Sequence, residues 1–358
     1  MKGYFGILTI GGTTLTLALV CKRSKQVRAK SIVPFSGILN GEFVDRQELP
    51  RIVAELIVET DAFSMQAREI FVAVPDVFVT VKTKEIISEF GFKKKVGIDS
   101  LLKADDFHES LEGYILHSHD LYHLIDDETA ASSVIGKQAR KVATMHSVIL
   151  GCPHFAQALH ESLSIQFTDI KFVPQALCDA LYLLNQDIRD QTCTLVHFSM
   201  FDTTVIVVCG DGVLHIDTVP IGYAHVLNDL CIVKEICHDT AKTLIGHVCL
   251  SLNHEPGDMF EIKVENELKK FQKMEVCNIV KCRVEELAEE LQVSIKSFDE
   301  KLFNRPVHIY GGYADSIKGT KLLLSKIFGA VADSALCPQS GMPACEDMAL
   351  PAVKSFVV

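Results

Sequence analysis

Glycine pairs follow apolar runs at two places in the sequence, and both have the chemistry to approach a phosphate group closely. Gly11 and Gly12 follow FGILTI and precede Thr13, while Gly311 and Gly312 follow VHIY. Glycine has no Cβ, so backbone amides can reach an anion, and the N-terminus of a following helix favours negative charge. The two pairs therefore predict turns that a ligand or another backbone segment can approach closely.

A third turn, residues 199–204 with the sequence SMFDTT, has the frame of a phosphate loop but different contents. Asp202 and Thr203 supply polar groups at its centre. A phosphate-binding turn needs inward-pointing amides, and Mg²⁺ needs carboxylates or their waters. Met200 and Phe201 would fill that space, and Asp202 would face a phosphate with like charge. This turn therefore predicts a degenerate nucleotide site.

The elements that would position these turns occur twice. Residues 5–35 and 194–222 each read as strand, Thr-pair turn, strand, polar turn and a strand ending in Val-Pro. An amphipathic helix is predicted after each block, over 46–63 and 224–236. The predicted inward-facing positions are Leu49, Ile52, Val53, Leu56 and Ile57 in the first helix and Val226, Leu227, Leu230 and Val233 in the second. The repeat predicts a duplicated α/β body with a cleft between its halves.

Composition excludes several classes of function. A net charge of -11 argues against a nucleic-acid surface, which needs clustered Lys and Arg. The 12 cysteines form no even framework, so reduced thiols in a cytosolic protein are expected. Glycines and threonines interrupt the apolar N-terminal segment, which predicts a folded hairpin and not a signal peptide. No run approaches the ~20 apolar residues of a membrane span.

The stretch HSHDLYH raises the question of a metal site. It contains His117, His119 and His123 together with Asp120, and strict alternation in a strand would put the three histidines on one face. A half-exposed sheet surface explains the same pattern. We favour that interpretation and expect no metal site here.

The order of hairpin, helix, insertion, second hairpin and strand-Gly-Gly-helix resembles the actin-like ATPase superfamily. Segments 31–53, 112–153, 219–231 and 279–291 are similar to FtsA, a bacterial division protein that links FtsZ filaments to the membrane. The resemblance implies an α/β, actin-like (ribonuclease H-like), duplicated two-lobed fold with an inserted α+β subdomain of the FtsA type. The implied boundaries are 1–75 for the first lobe core (1A), 76–144 for the inserted subdomain (1C), 145–190 for 1A continued, 191–224 for the second lobe core (2A), 225–304 for its outer subdomain (2B), and 305–358 for the second lobe core and C-terminal return.

This sequence departs from the family at the nucleotide motifs. Thr9 and Thr14 stand where the family has Asp and often Lys, and residues 197–204 replace the Asp-Ile-Gly-Gly-Gly-Thr-x-Asp turn. Ala241 and Leu244 stand where the family's Glu and Lys lie near the ribose. Losing both metal-orienting aspartates removes charge neutralisation, which dominates phosphoryl-transfer catalysis. We therefore expect no working ATPase and no bound cofactor.

Two alternatives remain open from the sequence. One is an active actin-like ATPase that binds ATP and Mg²⁺, with Asp202 as a displaced metal ligand and the Gly311 and Gly312 pair under the adenine. The other is a pilus assembly platform of the PilM kind, which shares the fold and binds a short peptide.

The resemblance also implies partners. In the family, subdomain 2B receives the C-terminal tail of FtsZ, and basic residues beside an apolar groove, here Lys273, Lys281 and Arg283, suit that acidic peptide. An amphipathic helix is expected in this region, with its inward face formed by Val284, Leu287, Leu291 and Val293. The inserted subdomain is expected to bind other divisome proteins or like subunits in actin-like filaments. The expected location is the cytoplasmic face of the inner membrane at the division site, with membrane contact weak or through a partner.

Overall fold

A computed structural model describes residues 3–39, 41–131, 133–264, 267–298, 307–328 and 349–358. The chain divides into two compact units. Unit 1 comprises Met1–Thr192, Ile206–Ile216 and Asp347–Val358, and unit 2 comprises Cys193–Val205 and Asp217–Glu346. Within the described ranges, no helix is long and apolar enough to cross a membrane.

The order of strands and helices along the chain includes the two strand meanders that the repeat predicts. The strands are β1 (Tyr4–Ile10), β2 (Thr14–Cys21), β3 (Val27–Pro34), β4 (Ile38–Leu39), β5 (Glu42–Phe43), β6 (Glu69–Val74), β7 (Val79–Lys95), β8 (Tyr114–Ile125), β9 (Thr129–Ala131), β10 (Gln138–Gly151), β11 (Asp169–Pro174), β12 (Cys193–Phe198), β13 (Thr203–Cys209), β14 (Gly212–Val219), β15 (Met259–Val264), β16 (Glu267–Gln272) and β17 (Val307–Tyr310). The α-helices are α1 (Leu49–Glu59), α2 (Asp105–Glu109), α3 (Pro153–Leu163), α4 (Gln175–Leu183), α5 (Gln186–Arg189), α6 (Tyr223–Lys234), α7 (His238–His247), α8 (Lys273–Phe298), α9 (Gly312–Ser316), α10 (Thr320–Phe328) and α11 (Ala349–Val357). Both predicted three-strand meanders are confirmed.

Unit 1 is built on a five-stranded sheet with the order β11-β6-β1-β2-β3. Strand β1 pairs antiparallel with β2 and parallel with β6, and β6 pairs parallel with β11. The N-terminal segment is therefore a folded hairpin at the centre of this sheet, as predicted. Helix α1 buries all five of its predicted inward-facing residues, which share one helical face. On the other side of the sheet, Phe5 and Ile7 pack with Ala352 and Val353 of α11.

The insertion in unit 1 forms its own four-stranded sheet with the order β7-β10-β8-β9. Strand β10 continues across the predicted boundary at residue 144 and ends at Gly151. The register of β8 against β10 pairs Asp120 with His146 and Tyr122 with Met145, so Leu121 is an extra residue. This bulge reverses the alternation, because the residues after it move to the opposite face. The expectation that His123 shares a face with His117 and His119 is therefore wrong.

The second meander lies in a four-stranded sheet with the order β14-β13-β12-β17. Helix α6 buries Val226, Leu227 and Leu230 as predicted, but Val233 in its last turn is 59% exposed. Helix α8 buries Val284, Leu287 and Leu291, whereas Val293 is 64% exposed. The 3.6-residue period carries the buried face of α8 on to Ser294 and Ile295 instead. The two predictions for Val233 and Val293 are therefore wrong.

Candidate functional site

The first glycine turn of the candidate nucleotide site lies in unit 1 between β1 and β2. The Gly11 amide donates to the Thr14 carbonyl at 2.8 Å, and the Phe35 amide donates to the Thr13 carbonyl at 2.8 Å. Gly11, Gly12 and Thr13 are each partly exposed. This turn therefore has defined backbone bonds and still presents its surface to solvent.

Two buried carboxylates that the sequence analysis missed lie in unit 1 near the same sheet edge. Strands β1, β6 and β11 run parallel, so their carboxyl ends meet at one edge, where ligands bind in open α/β sheets. Asp76, just after β6, is 7% exposed, and Asp179, in α4 just after β11, is 1% exposed. Burial, followed by the charges of Asp179 and Asp76, raises the pKa of the Cys178 thiol well above its usual value. The Val-Pro-Asp sequence after an apolar strand was the available signal for Asp76.

The degenerate turn in unit 2 is closed on itself by Ser199 and Asp202. The Ser199 amide donates to the Asp202 carbonyl at 3.0 Å. The Ser199 hydroxyl donates to Oδ1 of the Asp202 carboxylate at 2.7 Å. The carboxylate that the sequence marks as a possible metal ligand is therefore held by its own turn.

Helix α6 packs its N-terminus directly onto this turn. The Tyr223 amide donates to the Ser199 carbonyl at 3.1 Å, and the Ala224 amide donates to the Met200 carbonyl at 2.8 Å. The first amides of a helix have no partner inside the helix and could otherwise bind an anion. A Cβ built on Gly222, which precedes the helix, would lie only 2.6 Å from the Asp202 amide nitrogen. Amides that would bind a phosphate therefore bind the turn itself.

Gly311 packs against Phe198, the last residue of β12 before the same turn. Its φ is +112°, and an added Cβ would lie 2.4 Å from the Phe198 carbonyl oxygen. Gly312 opens α9, which has 5 residues. Because few peptide units are aligned in such a short helix, its dipole is small and contributes little to the predicted preference for an anion. Contact with the β12 backbone is therefore sufficient to require glycine at Gly311.

Two stacked pairs of aromatic rings, buried or half-buried, lie on the elements next to the closed turn. His197 on β12 stacks on Tyr310 on β17, with ring centroids 4.7 Å apart and planes at 9°. Tyr223 at the start of α6 stacks on Tyr313 of α9 at 4.9 Å. His197, which was predicted to lie in the core, is therefore half-buried. It pairs with Tyr310 in the parallel register of β12 and β17.

The positions that the resemblance places near the ribose are apolar and buried. Ala241 and Leu244 lie in α7 and are both 0% exposed. Thr203, another predicted site residue, is also 0% exposed, and its hydroxyl donates to the Ile221 carbonyl at 2.7 Å. These side chains therefore contribute to the interior of unit 2.

The predicted partner-binding cations lie on or beside α8, where the protein already pairs them. Arg283 donates to both carboxylate oxygens of Asp229 on α6, at 2.7 and 2.9 Å, and to Glu286 at 2.7 Å. The bond to Asp229 is the largest cause that raises the pKa of Arg283. Lys281 lies 3.6 Å from Glu285, and Lys273 lies 5.6 Å from the centre of the Phe260 ring. Arg283 therefore joins α6 to α8, while both lysines remain at the surface.

A cavity of about 520 Å³ lies in unit 1 where the inserted sheet leaves the core sheet. Its polar lining includes Thr80, Lys82 and Glu112, and its apolar lining includes Phe78 and Leu150. The walls come from the start of β7, the end of β10 and the loop before β8. This open, mixed lining suits an extended segment of polypeptide better than a compact phosphate.

Comparisons with known proteins identify the fold. No family model matches the chain, and no curated protein matches it. A PilM-PilN type IV pilus biogenesis complex gives a TM-score of 0.59 at 12% identity, covering 92% of this chain and 87% of that chain. MreB5 of Spiroplasma citri bound to AMPPNP gives 0.58 at 9% identity, with 93% and 91% covered. The ethanolamine utilization protein EutJ from Carboxydothermus hydrogenoformans gives 0.50 at 14% identity, with 92% and 84% covered. The chain therefore has the α/β fold of the actin-like ATPase superfamily, with an inserted α+β subdomain.

Proposed function

We propose that the protein is an FtsA-like scaffold of cell division that holds partner proteins and does not turn over ATP. The observation that carries the proposal is the closed turn at residues 199–202. Its hydroxyl, its carboxylate and three of its carbonyls are bonded within unit 2. A phosphate would have to break those bonds and would then face Asp202 with like charge.

The nucleotide experiment tests the inactive site directly. Equilibrium dialysis of the full chain against labelled ATP and Mg²⁺ is expected to show no retained nucleotide, and mass spectrometry of the purified protein is expected to show none bound. Asp202→Ala should leave both results unchanged. Micromolar binding with hydrolysis that disappears in Asp202→Ala would contradict the proposal.

A working ATPase is the second candidate, and the buried Asp76 and Asp179 favour it. Carboxylates of this kind can orient Mg²⁺ or a water, and these two lie near the sheet edge that carries Gly11. If the chain hydrolyses ATP, Asp76→Asn and Asp179→Asn should each lower the rate by at least about tenfold. Circular dichroism of both variants separates lost chemistry from lost folding.

The proposed partner is the C-terminal tail of FtsZ, which would dock on the outer part of unit 2. Lys281 is exposed and Lys273 is partly exposed, and both cations suit an acidic peptide, whereas Arg283 is bonded to Asp229. Fluorescence anisotropy with a labelled tail peptide is expected to show weaker binding for Lys273→Ala/Lys281→Ala. Lys103→Ala, which removes an exposed lysine of unit 1, is the control that should bind normally. Equal binding by all three proteins would remove this site from the proposal.

A pilus assembly platform is a third candidate, supported by the fold likeness to the PilM-PilN complex. Immobilised protein can be offered a PilN peptide and an FtsZ tail peptide in parallel. Retention of the FtsZ peptide alone supports the division scaffold, and retention of the PilN peptide alone supports the platform.

The remaining parts of the proposal concern assembly and location. The inserted subdomain would bind other divisome proteins or a second copy of the chain, at the cytoplasmic face of the inner membrane. Membrane contact would be weak or supplied by a partner. Sedimentation of the purified chain tests self-association, and a fluorescent fusion that fails to concentrate at division sites would contradict the location.

A further inference from the structure

Two histidine rings from different elements of the inserted subdomain point their nitrogens at one another. Nε2 of His108 on α2 lies 2.9 Å from Nε2 of His146 on β10. The ring centroids are 5.1 Å apart, and the neighbouring Phe107 is buried. His108 is half-buried and His146 is 7% exposed. Helix α2 therefore covers the sheet at a point where two imidazole nitrogens converge.

Asp120 fixes the tautomer of His146. Nδ1 of His146 lies 2.5 Å from Oδ1 of Asp120 on β8. An ionised carboxylate only accepts hydrogen bonds, so Nδ1 carries the hydrogen and donates it. In neutral His146 the lone pair then lies on Nε2, directed at His108.

This arrangement matches the ligand chemistry of a transition-metal site. Imidazole nitrogen suits Zn²⁺, Cu²⁺ and Ni²⁺, and a metal-bound histidine commonly donates its other ring N–H to a carboxylate. Two nitrogens bound to one tetrahedral Zn²⁺ at about 2.05 Å lie about 3.3 Å apart. The two rings would therefore separate by only a few tenths of an ångström to accept the ion.

We propose that His108 and His146 bind a divalent transition-metal ion, Zn²⁺ by ligand chemistry, with Asp120 orienting His146 from behind. Within the described part of the chain no three His, Cys, Asp or Glu side chains converge as a metal site. Water therefore fills the remaining positions, and the ion exchanges readily. Bound metal would tie α2, which has 5 residues, to the inserted sheet. The site is independent of the glycine turns and of the proposed scaffold function.

One neighbouring charge opposes the ion. Lys84 on β7 stands directly opposite His146 in the strand register, and its ammonium lies 5.3 Å from the centre of the Phe107 ring. Cross-strand neighbours share a face of the sheet, so Lys84 lies on the metal side. Removing this positive charge in Lys84→Gln should tighten metal binding.

Isothermal titration of the full chain with zinc chloride tests the site. Exposed thiols also bind zinc, so the exposed Cys237 and Cys282 are alkylated with iodoacetamide in every protein compared. The wild type is expected to bind one equivalent that is lost in His108→Ala. Asp120→Asn should weaken that binding about tenfold to a hundredfold, as outer carboxylates of metal-bound histidines do.

The matched control is His154→Ala/His160→Ala, which removes two exposed histidines from α3 and should bind zinc as the wild type does. Because His108 is half-buried, its variant is expected to fold, and circular dichroism checks this. His146→Gln tests the second proposed ligand in the same titration. In ¹⁵N-histidine NMR spectra of the wild type, zinc should shift the His108 and His146 signals selectively. Equal zinc stoichiometry in wild type and His108→Ala, or no binding by the wild type, would overturn the proposal.

Discussion

The two turns that a nucleotide would need have diverged in opposite ways. The turn of unit 1 keeps Gly11 and Gly12, remains partly exposed, and lies near a sheet edge with two buried carboxylates. The turn of unit 2 has lost its glycines, and Ser199 and Asp202 bond each other across it. The first turn therefore keeps its two glycines, while the second is bonded across itself and to the N-terminus of α6.

The difference shows that two turns at matching places in the repeat can satisfy their backbone groups in different ways. In unit 2 the helix N-terminus and the turn satisfy each other, so no anion is needed to complete their hydrogen bonds. These contacts stabilise the unit. Mutations at this turn should therefore act on stability, and mutations near Gly11 should act on binding if any binding remains.

The largest effect is expected from Gly311→Ala. The new Cβ meets the Phe198 carbonyl at 2.4 Å, and a φ of +112° strains any L side chain. We expect a loss of about 3 kcal/mol in the free energy of unfolding, measured by urea denaturation. Gly246→Ala is the control: Gly246 is helical, exposed and without near neighbours, so its replacement should stabilise slightly. Equal stability of the two variants would show that the backbone at Gly311 and Phe198 moves apart at little cost in free energy.

Thr203→Val tests the same closure with a smaller change. The substitution keeps the shape but removes the hydroxyl that bonds the Ile221 carbonyl, at a position with no solvent access. The expected loss is about 1–2 kcal/mol. Thr243→Val removes a similar hydroxyl bond at an exposed helical site, where water replaces it, so less than about 0.5 kcal/mol should be lost. Thermal unfolding of both variants gives the comparison.

Strand β17, which leads to Gly311, should make the stability of the fold depend on pH. His308 on β17 is 5% exposed, its Nδ1 has no hydrogen-bond partner, and burial lowers its pKa. The unfolded chain, with a histidine pKa of about 6.5, takes up the proton first. Stability should therefore fall as pH drops below about 6.5, by at most about 1.4 kcal/mol per pH unit. His308→Leu should flatten this dependence in urea titrations at pH 7 and pH 5.5, and an unchanged slope would exclude His308 as its source.

The smallest effect is expected at the strand that leads to Asp76. Lys171 and Lys22 flank Glu69 at 2.6 Å each, and their hydrogen bonds lower its pKa. The stability that this provides is present above the unfolded glutamate pKa of about 4.3 and is lost as pH falls through the lower folded value. Both lysines are about half exposed, so Glu69→Gln should cost only a few tenths of a kcal/mol at pH 7. The difference should shrink in acid-unfolding curves as pH falls below about 4.3.

The sequence predicts the elements well because their signals are local. The five buried residues of α1 follow the helical period, and both meanders follow strand alternation between polar turns. Prediction fails where a single position changes which face of a strand or helix the following residues occupy. The extra residue Leu121 moves His123 to the other face, and the last turn of α6 extends Val233 into solvent.

The candidate sites are less predictable because they depend on distant residues. Asp76 and Asp179 come near one sheet edge only through the parallel pairing of β6 and β11. His108 and His146 meet because α2 folds back over the inserted sheet, which no spacing in the sequence indicates. Met200 and Phe201 predict a second turn with no room for a phosphate, but nothing in the sequence indicates the bonds from α6 that close this turn.

Helix α11 places a constraint on how the protein is made. Its residues Ala352 and Val353 complete the core that holds Phe5 and Ile7 of β1, so that core joins segments from distant parts of the chain. During synthesis the apolar face of β1 leaves the ribosome long before α11 exists to cover it. Contacts between distant segments form late and slowly, and uncovered apolar strands attract chaperones and other chains. Unit 1 therefore reaches its final packing only after the ribosome has finished α11.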